Sequence, residues 1–69
     1  VANVLVKEDL PDMVWSVHVD GEIIATFMNA DEGVITWYPS HSNEPEYLDV
    51  NTASARIKSY GDVTWAEFK

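Results

Sequence analysis

Few side chains in this chain could do chemistry. His18 and His41 are its only histidines, the side-chain type whose unperturbed pKa lies near neutrality. Ser40-His41-Ser42 sets two hydroxyls beside an imidazole, but a nucleophile needs its base at hydrogen-bond distance and a third group to orient that base, and adjacency in sequence provides neither. No Gly-x-Ser-x-Gly turn is present. His18 lies inside a β-branched and aromatic run, where a core or sheet-surface histidine is expected. Asn29, Asp31, Glu32 and Gly33 have the composition of a calcium loop but not the ligand spacing of an EF-hand. With no cysteine and two widely separated histidines, no zinc motif can be written. The three glycines do not form a phosphate cradle. Glu44 and Glu46 are paired carboxylates, but in a segment interrupted by prolines they are expected to be solvated. These residues predict no catalytic group, no metal and no cofactor, and a protein that is not an enzyme.

What remains is charge. Twelve acidic residues stand against four basic ones in 69, a net charge of -8. That field favours partners with basic surfaces and repels nucleic acid and anionic membranes. Trp37, Tyr38 and Tyr47 could stack on bases, but stacking platforms work inside positive grooves. Lys7, Arg56, Lys58 and Lys69 are the whole basic complement. The hydrophobic fraction of 46% is too high for a disordered acidic tail, so the chain, residues 1–69, is read as a single folded domain. A chain this short buries only about 60% of the surface its unfolded form exposes, and homodimerisation would add burial. No run approaches the roughly 20 apolar residues of a membrane helix. The apolar run at Val4-Leu5-Val6 is too short for a signal peptide, and the absence of cysteine points to a reducing, cytoplasmic setting.

The elements that must position these residues follow from periodicity and turn chemistry. Val4-Leu5-Val6 reads as a strand that ends at the acidic cluster around Pro11. Val14–Val19 and Glu22–Met28 flank Asp20-Gly21, a strong hairpin signal because both central positions of a type I′ turn need positive φ. This pairing predicts Trp15, Val17, Val19, Ile24 and Met28 on one sheet face, with Val14, His18, Ile23 and Phe27 on the other. A second turn over residues 29–33 leads to a strand at Val34–Tyr38, and Pro39–Leu48 reads as a loop. Asp49 is a good N-cap for a helix whose face is Val50, Ala53, Ile57 and Tyr60, with Gly61 as its stop. A last strand is expected over Val63–Phe68. The predicted fold is α+β: a four- to five-stranded, mainly antiparallel meander with one short helix packed on one face. The second face is expected to be capped by the loop and tail, or to be a contact surface.

In such a meander the turns gather acids at the two ends of the sheet. Glu8, Asp9, Asp12, Asp31 and Glu32 are expected at one end, and Asp20, Glu22, Glu44, Glu46 and Asp49 at the other. The loop adds Tyr38, His41 and Tyr47 as anchors beside Glu44 and Glu46, a mixture suited to an Arg- or Lys-bearing surface. In type, with no shared motif, a short, acidic, cysteine-free chain resembles the small proteins that phages use to inhibit host machinery, including nucleic-acid mimics. That resemblance implies an acidic inhibitor or modulator that docks on a basic, nucleic-acid-binding surface of a larger protein. The alternative expectation is an assembly module that associates through an exposed first strand or an apolar sheet face.

Overall fold

A computed structural model describes residues 2–29 and 33–66. The strands are β1 (Ala2–Leu10), β2 (Val14–Val19), β3 (Glu22–Asn29), β4 (Val34–Pro39), β5 (Glu46–Asp49) and β6 (Gly61–Ala66), with one helix, α1 (Val50–Lys58), between the last two. They form a six-stranded sheet in the order β5-β4-β3-β2-β1-β6. From β1 to β5 every neighbour is antiparallel, and β6 then joins the free side of β1 in parallel. The α+β class is as the periodicity predicts, but the sheet is mixed and larger than four to five strands. The added strand is β5, where a loop was expected. Glu46-Tyr47-Leu48-Asp49 is too short to show a period, and it becomes a strand only by pairing with β4.

The turn chemistry explains the hairpins. Asp20 (φ 50°) and Gly21 (φ 86°) both have the positive φ of a type I′ turn. Between β1 and β2, Pro11 precedes Asp12 at φ 58°, and the Met13 amide donates to the Leu10 carbonyl at 3.0 Å. Proline followed by a positive-φ residue is the pattern of a type II turn.

The predicted alternation along β3 fails at one residue. Val17 faces Ala25 but His18 faces Ile23, so Ile24 is an extra residue in β3. This β-bulge reverses the side-chain phase beyond it. Phe27 therefore lies opposite Trp15 and Trp37, and Met28 opposite Val14 and Thr36, the reverse of the faces expected. Ser40 braces the bulge, its amide donating to the Ile24 carbonyl (2.9 Å) and its hydroxyl to the Ile23 carbonyl (2.8 Å). On the covered face Trp15, Phe27 and Trp37 form a cross-strand stack, with ring centroids 5.3 and 5.9 Å apart.

α1 begins at the expected cap. Asp49 Oδ1 accepts from the Thr52 amide at 2.6 Å, and Arg56 and Lys58 fill the last turn, where cations suit the helix dipole. Of the predicted helix face, Ala53 and Ile57 are buried, whereas Val50 and Tyr60 are largely exposed. Val50 lies in the first turn and Tyr60 beyond the last. The helix stops at Ser59, whose hydroxyl donates to the Arg56 carbonyl, rather than at Gly61. Gly61 instead opens β6 where the backbone passes against β1, and a Cβ there would collide with the Ala2 carbonyl.

The helix packs against β4 and β5 near one edge of the sheet and against β6 at the other. Six flat strands would span about 24 Å, so the sheet curls around the helix to bring both edges to it. The core is Val4, Val6, Val17, Ala25, Phe27, Ile35 and Trp37 from the sheet with Ala53 and Ile57 from the helix. The parallel docking of β6 makes β1 an interior strand, so the exposed first strand invoked for assembly is not an edge.

Candidate functional site

The strand directions place the carboxylates. Glu8, Asp9 and Asp12 lie at the end of the sheet where β1 turns into β2. Asp31 and Glu32 lie outside the described residues. Asp49 belongs to this same end, opposite Val34, and not to the far end as expected, because β5 carries the chain back along β4 before the helix starts. The end is tightly braced. Glu8 Oε2 accepts from the Asp12 amide at 3.2 Å, and Asn29 Nδ2 donates to the Asp12 carbonyl at 2.9 Å. The Asn29 amide donates to the Met13 carbonyl at 3.2 Å.

At the opposite end Asp20, Glu22, Glu44 and Glu46 are joined by Asp62, which stands opposite Asn3. Asp20 clasps β1, its carboxylate accepting from the Asn3 amide and its own amide donating to the Asn3 carbonyl, each at 2.9 Å. Glu46 is neutralised by Arg56 at 2.9 Å, and the Arg56 guanidinium lies 5.6 Å from the centre of the Trp37 ring. The sequence reading missed this pair, because Glu46 and Arg56 are brought together only by the return of α1 across β4 and β5.

The predicted recognition loop is divided by the structure. Glu46 and Tyr47 are on β5, and adjacent strand residues point to opposite faces. Tyr47 (72% exposed) and Tyr38 (43% exposed) stand on the open face as diagonal neighbours across β4 and β5. Glu46 and His41 line a shallow pocket on the helix side with Ile24, Trp37, Pro39, Arg56 and Tyr60. Glu44 sits in the exposed turn between them, its amide donating to Ser42 Oγ at 3.1 Å.

Apart from Tyr38 and Tyr47, the open face carries residues that were not singled out as a site. Thr64, Leu5, His18 and Ile23 form one row across β6, β1, β2 and β3, and Lys7, Ser16, Thr26 and Tyr38 form the next. Ser16 is only 4% exposed and shares a 2.8 Å hydrogen bond with His18 Nε2, which makes His18 a sheet-surface histidine held by a neighbouring hydroxyl. Ile23 remains 49% exposed. Among the described residues no element lies over this face, and the loop expected to help cap it, residues 40–45, is itself exposed; the tail, residues 67–69, lies outside the described residues.

The Asp49 carboxyl is held below the usual carboxylate range, first by the hydrogen bond from the Thr52 amide and then by the Thr52 side chain. Among the described residues no three histidine or acidic side chains gather in a way that could hold a metal ion, and no helix is long and apolar enough to cross a membrane. Comparison with protein-family models, with curated protein sequences and with solved structures finds no match to this chain.

Proposed function

We propose that this protein is a non-enzymatic binding module, an inhibitor or modulator that docks on a basic surface of a larger protein, of the kind that otherwise holds nucleic acid. One observation carries the reading: the described carboxylates lie at the two ends of the sheet, and the open face between them is uncharged apart from Lys7. A six-residue strand spans about 20 Å, so the domain offers two negative bands roughly that far apart. Tyr38, Tyr47, Ile23 and Leu5 lie between them as apolar contacts. A partner that neutralises such bands releases its own bound anions, the counterpart of the counterion release that drives binding to nucleic acid. A cysteine-free chain of this size fits a reducing compartment such as the cytoplasm.

The test is capture on the immobilised protein at low salt, elution in salt steps, and competition with duplex DNA. Basic nucleic-acid-binding proteins should elute at moderate salt and be displaced by the DNA. Asp9→Lys with Asp12→Lys, or Glu22→Lys with Glu44→Lys, should each weaken capture severely. Capture that is indifferent to salt and to these reversals would sink the reading.

A further inference from the structure

The two edges of the sheet are guarded differently. β5 has four residues, Pro45 before it, Glu46 and Asp49 at its ends, and α1 leaving directly from it. Short length, proline and charge are the usual defences against edge-to-edge pairing. β6 is Gly-Asp-Val-Thr-Trp-Ala, with no proline and Asp62 as its one charge. One side of it is hydrogen-bonded to β1, and among the described residues no strand pairs with the other. Thr64 is exposed and Trp65 is 55% exposed. A six-residue edge with unmet amides and carbonyls is a template for another strand.

Charge decides the occupant. A basic extended segment is drawn to β5, beside Glu44, Glu46 and Asp49, and finds only Asp62 on β6. Two copies of a chain with net charge -8 repel, and they can meet only where carboxylates are sparse. β6 is that place. A two-fold axis normal to the sheet makes neighbouring strands antiparallel and keeps like faces together, so opposed residues must share a face. With the axis at Thr64, Thr64 faces Thr64 of the second copy, Val63 faces Trp65, and Asp62 faces Ala66. Thr–Thr and aromatic–β-branched pairs are among the favourable cross-strand pairs, and no two carboxylates are opposed.

We infer that the protein forms a homodimer by antiparallel pairing of β6 with β6 of a second copy, joining the two sheets into one. The proposal is independent of binding to a basic partner and has the opposite salt dependence. Between about 0.1 M and about 1 M salt the Debye length falls from ~10 Å to ~3 Å. Repulsion between copies is screened, and the dimer should tighten while capture of a basic partner weakens.

Sedimentation velocity over a concentration series at both salts reads this directly. The expected result is a species of twice the 7.8 kDa chain mass, more abundant at high salt. Thr64→Glu, which sets two carboxylates face to face, should return it to monomer, while Tyr47→Glu on the other edge should leave it a dimer. Thr64→Cys changes the side chain little and introduces the chain's only cysteine. Opposed antiparallel residues have Cα atoms about 4.5–5.5 Å apart, within reach of a disulfide. Mild oxidation should therefore link two Thr64→Cys chains, and should not link Tyr47→Cys chains. A monomer at every concentration in high salt, a dimer that Thr64→Glu leaves intact, or a dimer in which Thr64→Cys does not cross-link overturns the proposal.

Discussion

The two faces of the sheet are built from alternate residues of the same strands, and they have different fates. On the helix side Val4, Val6, Val17, Ala25, Phe27, Ile35 and Trp37 are closed over by Ala53 and Ile57. On the other side Leu5, Ile23, Tyr38 and Tyr47 stay exposed among Ser16, Thr26, Thr36 and Thr64. One nine-residue helix is the only helix in the described chain, and it covers one side. The two faces can therefore be altered separately, the covered one at a cost in stability and the open one with little. Folding free energy comes from the covered face, which leaves the open face and the sheet ends available for contact.

The largest effect expected from this contrast is at Ile57. Ile57→Ala empties a fully buried site and should cost about 2–5 kcal/mol, a large part of what a domain this small has. Ile23→Ala on the open face should change stability by no more than about 0.5 kcal/mol, and equal costs in paired thermal melts would break the contrast. Next comes Gly61→Ala, which drives a Cβ into the Ala2 backbone where β6 meets β1 and should cost about 1–3 kcal/mol in denaturant titration.

A smaller effect concerns acid. Asp49 has a folded-state pKa below its unfolded value of 3.8, so the folded state binds the proton less readily. Its contribution is complete above pH 3.8 and is lost as pH falls through the lower, folded-state value. Asp49→Asn keeps a capping side chain and should remove this part of the acid dependence, as seen in melts on either side of pH 3.8. The smallest effect is at the half-exposed ion pair. Glu46→Gln should cost under about 1 kcal/mol and less in high salt. A larger loss would mean that Arg56 over Trp37 is part of the core and not its lid.

The helix's share of the covered face was legible in advance, and much of the candidate site was not. Ala53 and Ile57 are four residues apart on one helical face, and that period needs no tertiary information. Residues 46–48 read as loop because Glu46 to Asp49 has no strand signature of its own and is ordered by β4. Tyr38 and Tyr47 are parted from Glu46 and His41 for the same reason: once β5 exists, pleating sends Tyr47 and Glu46 to opposite faces.

Composition and near-neighbour chemistry alone determined the acid excess, the Asp20-Gly21 hairpin, the Asp49 cap and the α+β class, because each depends on groups within a few residues of one another. The tertiary structure alone decided the Ile24 bulge that exchanges the faces of Phe27 and Met28, the end to which Asp49 belongs, the Glu46–Arg56 pair, and the parallel seat of β6 beside β1. Each of these is a pairing between distant segments. Such pairings are selected by the hydrogen bonds and buried area of the assembled sheet, and they leave no local trace in the order of the residues.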